Sequence, residues 1–467
     1  MDHEPGDHPP GKSRFSPIAV ILPSSNPPMV RLPLQLLVLF VLIPIMDIHG
    51  GEVIRADHSE TTSTPSGLLR MEWGGVSIVD SVRGISLSSD SAQIWVSSDS
   101  ARVISRARLT GNVNLQDRTR SIRSRVLDYD PRNEAANFNM EVQVFEPGKS
   151  LTASQVSYDR KRDHLKSAGD VTLNYSKKGM TLTADELQYS TKSDSGSAKG
   201  NTRLIRYSEG TDSLVAEAGR VSFSGGGDQL EFSSGVIVSQ SSIAATADTA
   251  IYQDSAGTLE LSGRPLIEWK GPEQKDTVEM SGTYLSVVFS NHRPNRISLV
   301  GGTRVRMITQ SDSPGVMQTI TADTSVIDLE GNNLIEMRSR GDVTGHLVSR
   351  EGTRTNLGGG VARFVFLDGA IDSLLLEDGK VEAHSENESQ WSRLSGDHIL
   401  LTFVRGEIRE VTAQGQAKCE HFEEDSEDGE VRLTGDRVEL GFEFGKLVLA
   451  KADGAVRGSY NGSGRGR

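Results

Sequence analysis

The sequence predicts an all-β fold, and two observations carry that prediction. From about residue 75 onward, apolar and polar residues alternate at period two, and no stretch keeps helical spacing over three turns. Aromatic residues make up only 5% of the chain whereas glycine contributes 48 residues, a balance that favours many short strands and turns over a thick core. We therefore expect strands throughout the main part of the chain.

The N-terminal region carries an export signal. Arg31 is followed by an apolar run from Leu34 to Met46 and then by polar residues. The run is shorter than the roughly 20 residues that span a bilayer, which favours a cleaved signal peptide over a signal anchor tethered to the inner membrane. The residues before it are Pro-rich and charged, so they are a disordered extension or Met29 is the true start. The predicted segments are the N-terminal extension (1–28), the signal peptide or anchor (29–56), a linker (57–74), the β-repeat region (75–456) and a flexible tail (457–467).

The repeat region is built around a recurring box. Each copy has an apolar residue, a small residue two positions later, usually Asp directly after it, and then apolar residues at every second position. Clear copies are Leu182-Ala184-Asp185-Leu187-Tyr189, Ala245-Ala247-Asp248-Ala250-Tyr252, Ile320-Ala322-Asp323-Ser325-Ile327, Leu394-Gly396-Asp397-Ile399-Leu401 and Leu433-Gly435-Asp436-Val438-Leu440. With weaker copies there are about eleven, at intervals of roughly 29 to 40 residues, a spacing typical of repeat architectures.

A second interruption lies between successive boxes, where a glycine precedes another alternating run. Examples are Gly111-Asn112, Gly169-Asp170, Gly200-Asn201, Gly341-Asp342 and Gly415-Gln416. We therefore predict two long strands per repeat, each interrupted once. A change of parity would move apolar side chains to the other face of a flat strand, so a bend or bulge is needed to keep them on one side. Both interruptions then mark corners between two facing walls.

At this point the residues resemble a known family, the lipopolysaccharide-transport bridge proteins with the organic-solvent-tolerance-A-like fold. The resemblance lies in Gly169-Asp-Val-Thr-Leu173 followed by Leu182-Thr-Ala-Asp-Glu-Leu-Gln-Tyr189, and in the later Ala-Asp pairs at 247–248 and 322–323. It covers roughly residues 76 to 456 and implies a V-shaped open β-jelly roll, either as one unit or as two or three tandem units. The candidate lining of its apolar groove is Leu182, Ala184, Leu187, Tyr189, Ala247, Ile251, Ile320, Ala322 and Ile327, with Ile399 left unassigned.

The resemblance also implies a location and partners. Such proteins hold lipopolysaccharide acyl chains in the periplasm, between an inner-membrane ATP-driven lipid-export complex and an outer-membrane lipopolysaccharide translocon. Head-to-tail self-association through edge strands is expected as well, because both ends of a strand stack leave unpaired backbone groups. A groove lined by Ala, Val, Leu and Ile suits acyl chains, which bind by apolar area and need no directional partner.

Other classes of function have little support in the sequence. The net charge is −13 and no basic block occurs, so nucleic acid is not an expected partner. Cys419 lies near His421, but one Cys and one His fall short of a metal site, and we expect no metal or other cofactor. The box aspartates recur once per repeat, which indicates a role in the fold and not in catalysis. The alternatives left open are a closed, parallel β-helix acting as an adhesin or polysaccharide lyase, and a purely structural filament.

Overall fold

The structure is a computed structural model of the full chain. It describes residues 45–49, 52–97, 103–208, 211–240, 242–270, 277–308, 317–331, 333–348, 352–367, 370–385, 389–404, 407–423, 430–443 and 446–461. The expectations for residues 1–44, which include the apolar core of the export segment, lie outside the described residues.

The described chain is almost entirely β, as the period-two alternation predicts. The first strands are β1 (Ile45–His49), β2 (Glu52–Ala56), β3 (His58–Thr64), β4 (Gly67–Asp80), β5 (Ile85–Ser97), β6 (Ile104–Gln116), β7 (Ser121–Asp130), β8 (Ala135–Glu146), β9 (Lys149–Asp159), β10 (His164–Tyr175), β11 (Met180–Ser190), β12 (Ser195–Ser208), β13 (Thr211–Ser224), β14 (Gln229–Gln240) and β15 (Ile243–Gln253). One 3-10 turn, Ser176–Lys178, joins β10 to β11.

The later strands follow the same plan. They are β16 (Thr258–Ser262), β17 (Leu266–Lys270), β18 (Thr277–Ser281), β19 (Tyr284–Ser290), β20 (Arg293–Ile308), β21 (Met317–Glu330), β22 (Asn333–Val348), β23 (Arg354–Leu367), β24 (Ala370–His384), β25 (Gln390–Val404), β26 (Glu407–Glu423), β27 (Glu430–Glu443), β28 (Lys446–Asp453) and β29 (Arg457–Asn461).

These strands form a single 29-stranded sheet in which neighbours along the chain pair with each other. Where a strand is split, as at β16 and β17, its two pieces pair with the two halves of the same neighbour, β15. The tandem units considered from the sequence therefore share one sheet. The described pairings are antiparallel, whereas a β-helix stacks its strands in parallel, so the β-helix alternative does not fit this topology.

The glycine interruptions are corners, as predicted. At most of them two consecutive residues adopt left-handed backbone angles, for example Gly169 with φ 77° and Asp170 with φ 49°. The register shifts there, between Ala168 and Val171, so β10 carries one residue more than its partner β11. Such a bulge bends the strand and turns its two halves toward each other.

The box strands change parity, also as predicted. In β11 the buried residues before the box aspartate Asp185 are Met180, Leu182 and Ala184, and those after it are Leu187 and Tyr189. Without a bend the second set would face the opposite side of the sheet. The burial pattern shows that both sets face the same interior, so each box marks a corner too.

Box and corner fit together because each site has room for one side chain. A Cβ placed on Gly341 would lie 2.1 Å from Oδ2 of the box residue Asp323. The arrangement is reversed where glycine takes the place of the box aspartate. A Cβ on Gly219 would lie 2.8 Å from Cβ of Ser234, which occupies the corner. The box aspartates thus fill the corner of the following strand, which supports their structural role.

Three predicted boundaries differ from the strands of the structure. Residues 45–56, expected to belong to the signal peptide or anchor, contain β1 and β2, and Ile54 and Ala56 lie in the core. Residues 57–74, expected to be a linker, contain β3 and the first part of β4, and Asp57 packs against the corner glycine Gly74 as the later box aspartates do. The flexible tail, expected from residue 457, begins instead with β29, which pairs with residues 430–434. The polar run His58–Thr64 hides its strand character because none of its residues is buried, so the run shows no apolar alternation.

Candidate functional site

The two halves of the long strands form two walls around one apolar interior. The turns that follow box strands, for example residues 160–163 and 191–194, form what we call the first rim. The turns that follow the strands with a glycine corner, for example residues 117–120 and 176–179, form the second rim. The corners divide each long strand into two halves, and we call the half next to the first rim the first wall and the half next to the second rim the second wall. Side chains of both walls meet: Val305 and Ile320 of the second wall share a small cavity with Ile327, Met337 and Phe364 of the first.

The predicted lining residues face this interior, with one exception. Those that are buried are Leu182, Ala184, Leu187, Tyr189, Ala247, Ile320, Ala322 and Ile327, and the unassigned Ile399 is buried as well. Ile320 and Ile327 lie at one small cavity, whereas the residues of β11 and β15 lie further along the sheet.

Ile251 is the exception, and its assignment to the lining is wrong. Its neighbours Ala250 and Tyr252 are buried, so period-two alternation places Ile251 on the outer face. Its partners across the sheet are Glu231 and Glu260. Ile251 therefore serves as an outward-facing reference position.

In the N-terminal part of the sheet the two rims are joined by a row of polar contacts, which we call the seam. Arg120, on the second rim, shows the pattern: its guanidinium lies 3.0 Å from the Asp163 carboxylate and donates to the Thr191 hydroxyl at 2.8 Å, both on the first rim. Only 4% of the Arg120 side chain is exposed. It also lies over the ring of Tyr158, 4.6 Å from the centroid.

Lys149 makes the next link of the seam. Its ammonium pairs with Asp194 on the first rim and donates to the hydroxyl of Tyr189 at 2.9 Å. It lies 5.1 Å from the ring centroid of Tyr175 and 5.5 Å from that of Tyr189. Burial raises the pKa of both tyrosines, which therefore stay neutral.

Further links follow along the sheet. Lys178 pairs with Asp228 and lies 3.7 Å from Asp254, and the Arg206 guanidinium lies 2.6 Å from Asp254. Other rim-to-rim contacts include Glu52 with the Ile104 amide, Arg160 with the Arg83 carbonyl, and Gln240 with the His292 carbonyl. Arg120, Lys149, Lys178 and Arg206 belong to the second rim and the aspartates that they contact across the seam belong to the first, whereas Arg160 lies on the first rim.

Below the seam the interior is filled by closely packed apolar side chains, a few of them aromatic. Phe138, Phe232 and Trp269 are fully buried, and the ring of Phe223 lies 6.3 Å from that of Tyr175 across the interior. Most of the side chains buried with them are Ala, Val, Leu and Ile. Together with the seam, these side chains make this part a packed region.

The C-terminal part differs, because a cavity of about 90 Å³ lies between the rims. Second-wall residues Val381 and Leu394 face Val411 and Leu440 of the first wall across it. The remaining lining residues are Thr353, Thr355, Ala383, Ser385, Gln390, Trp391, Ser392, Glu407, Ile408, His421 and Phe442. The lining is mostly apolar with a polar edge, which is typical of a site for an amphiphile.

A hydrogen-bonded serine–histidine pair lies at this cavity. The Ser392 hydroxyl and the His421 Nδ1 are 2.8 Å apart. Burial lowers the pKa of His421, so the imidazole is neutral at neutral pH. The neighbouring thiol of Cys419 is buried, and burial raises its pKa to about 12, so it is an unreactive core residue.

The ion pairs described on the outer face have another character. Arg338 and Arg363 both pair with Glu336, and about half of each arginine side chain is exposed. Arg363 links β23 to β22, whereas Arg338 and Glu336 both lie on β22. Exposed pairs of this kind contribute little to stability. Within the described residues, no group of His, Cys, Asp or Glu side chains is arranged to hold a metal ion.

The seam was missed from the sequence although a signal was present. The basic residues Arg120, Lys149, Lys178 and Arg206 recur one repeat apart, each at or next to a turn of the second rim. Their meaning depends on which first-rim turn lies opposite, and that pairing joins residues 43 to 50 positions apart, as in Arg120 with Asp163 and Lys178 with Asp228.

Comparison with protein families identifies no family for this chain. No family model matches the chain, and no curated protein matches it either. In the described part of the chain, no helix has the length and apolar character needed to cross a membrane.

Proposed function

We propose that this protein is a periplasmic carrier of lipopolysaccharide that shields acyl chains between its two β-walls on the way from the inner to the outer membrane. The observation that carries the proposal is the apolar interior enclosed by facing walls, with a cavity between the rims in the C-terminal part. Acyl chains bind to such a surface by area, at about 25 cal/mol per Å² removed from water. The resemblance of the box and corner residues supplies the identity of the cargo.

The proposed partners follow from the same resemblance. They are an inner-membrane ATP-driven lipid-export complex and an outer-membrane lipopolysaccharide translocon, with head-to-tail self-association through the end strands. The single sheet supports this arrangement, because its backbone pairing continues from strand to strand and its ends are strand edges. No catalytic step is part of the proposal.

In-cell photo-crosslinking tests the proposal. We expect a photo-reactive residue at Leu394 or Val411, on opposite walls of the cavity, to form an adduct with lipopolysaccharide. The same residue at Ile251, on the outer face, is the matched control and should form little adduct. Equal adducts at all positions, or none at the cavity positions in a folded and exported protein, would contradict lipid carriage.

A further inference from the structure

The seam contains more charge than closure of the rims requires. The side chains of Lys149 and Arg206 are only 18% and 16% exposed, so their ammonium and guanidinium groups have lost much of their hydration. Partly buried ion pairs contribute little net stability compared with apolar contacts of the same volume. Unlike an apolar closure, however, an ion pair can exchange one partner for another of like charge.

From this we propose that the basic residues of the second rim, Lys149 and Lys178 foremost, bind the anionic phosphate head groups of acylated cargo in place of their aspartate partners. The inference rests on the proposed carrier function and adds the polar half of the binding site.

The Lys149 ammonium lies at the boundary between the apolar interior and the polar rim, where the head group of a bound lipid would lie. Its ammonium is above the rings of Tyr175 and Tyr189, whose hydroxyls mark the outer limit of the apolar interior. The hydroxyls of both tyrosines point to Asp194, with Tyr189 Oη 3.0 Å from its Oδ1. An amphiphile whose acyl chains enter between the walls would place its first polar group at this level.

Entry of a lipid has to break the contacts of the seam before its phosphate can bind to the basic residues there. The interior below the seam is filled, so acyl chains can enter only if the rims move apart, which separates Lys149 from Asp194. A partly buried cation without a partner is costly, and a phosphate offers several acceptor oxygens and at least one negative charge. Exchange of carboxylate for phosphate keeps a charge-assisted hydrogen bond in both the closed and the loaded states.

The repetition of the basic residues extends the site along the sheet. Arg120, Lys149, Lys178 and Arg206 lie on successive turns of the second rim, and two strands separate each turn from the next. At about 4.8 Å per strand, equivalent cations are spaced by roughly 10 Å. A phosphate head group that moves along the sheet could thus bind the next cation as it leaves the previous one.

Binding to a phosphorylated and a dephosphorylated lipid tests the inference. The probes are lipid A carrying both phosphates, the same acylated disaccharide without phosphates, and inorganic phosphate alone. With the full chain, we expect Lys149→Met to weaken binding of phosphorylated lipid A about tenfold, the loss of roughly one charge-assisted hydrogen bond. Binding of the dephosphorylated lipid should be unchanged, and Lys178→Met should behave alike.

A variant of Asp194, the partner of Lys149, distinguishes a binding role of the seam from a purely structural one. Asp194→Asn removes the competing carboxylate, so it should leave binding of phosphorylated lipid A unchanged or tighten it by about threefold. Arg338→Met, at an outer-face ion pair, should change neither probe's binding. If Lys149→Met and Asp194→Asn weakened both lipids equally, the seam would be a structural feature and the inference would be wrong.

Two outcomes distinguish the inference from the proposed function. Failure of the wild-type chain to bind either lipid would contradict the carrier function itself. Tight binding of both lipids with no effect of phosphate or of Lys149 would overturn only the phosphate site. Binding of inorganic phosphate as tight as that of phosphorylated lipid A would identify a site for free phosphate and would also overturn the lipid head-group assignment.

Discussion

The N-terminal part of the sheet, which contains the seam, and the C-terminal part, which contains the cavity, have the same kind of walls but different contacts between their rims. We call these two parts the seam half and the cavity half. Corners of the same kind, Gly200 against Asp185 and Gly415 against Asp397, bend the strands in both halves. Between the rims, the seam half has the polar contacts of the seam, such as those of Arg120. The cavity half has an apolar cavity of about 90 Å³ there instead. The comparison teaches that the repeat determines the walls, and that a few turn residues determine whether the interior is closed.

The largest expected effect is loss of the buried cation of the seam. Arg120→Met leaves Asp163 and Glu146 without the guanidinium that lies 3.0 Å and 3.3 Å from them. Removing one partner of a buried ion pair costs about 3–5 kcal/mol. Denaturant unfolding should show this loss, with faster hydrogen exchange in β6 to β11.

The control for that variant lies on the outer face of the cavity half. Arg363 pairs with Glu336 at 2.9 Å, but about half of its side chain is exposed. Arg363→Met should therefore cost less than about 1 kcal/mol. Equal losses for the two variants would show that the seam is no more than surface pairing.

An intermediate effect should come from the same substitution in the two interiors. Ala198 is fully buried in the packed seam half, so Ala198→Leu should destabilise the fold by about 1–3 kcal/mol. Ala383 lines the cavity, so Ala383→Leu should fill part of it and stabilise by up to about 1 kcal/mol. Thermal unfolding measures both, and a loss of stability for Ala383→Leu would contradict the presence of usable space.

Filling the cavity should also affect the proposed function. Ala383→Leu, if it folds with wild-type stability or better, should reduce the lipopolysaccharide adduct formed at Leu394. An unchanged adduct would separate the cavity from the path of the cargo.

The smallest effects are expected from pH, with opposite signs in the two halves. Burial lowers the pKa of His421, so the unfolded chain takes up a proton more readily, and stability of the cavity half falls as the pH drops below the ordinary value of 6.5. Burial raises the pKa of Glu146, so its contribution is present below the ordinary value of 4.5 and is lost as the pH rises through the folded value. Acidification should thus weaken the cavity half and strengthen the seam half.

Hydrogen exchange read separately in the two halves measures this difference. His421→Gln should remove the loss of protection around β25 to β27 between about pH 7.5 and pH 5.5. Glu146→Gln should reduce the pH response of the seam half in the range just above 4.5, and Glu52, whose pKa burial also raises, should account for the rest of that response. A parallel response of both halves to pH would contradict the assignment of these two groups.

Much of the wall structure was predictable because it is local. Alternation gave the strands, the left-handed Gly-Asp pair at 169–170 gave a corner, and the change of parity between Ala184 and Leu187 gave the other. Ile251 was misplaced although the same alternation excludes it, since its neighbours Ala250 and Tyr252 already occupy the inner face. The strand at residues 58–64 escaped prediction because its polar side chains give no apolar alternation.

The sequence by itself determined an antiparallel, twice-cornered β-repeat, because backbone bends and the one-side-chain space at each corner depend on residues within one or two strands. Only the tertiary structure decided which rim turns meet. Whether Lys149 reaches Asp194 or faces solvent depends on how far the sheet folds back on itself, a distance that accumulates over several hairpins and that no local pattern encodes. For the same reason the closed seam and the cavity became visible only when both walls were in place.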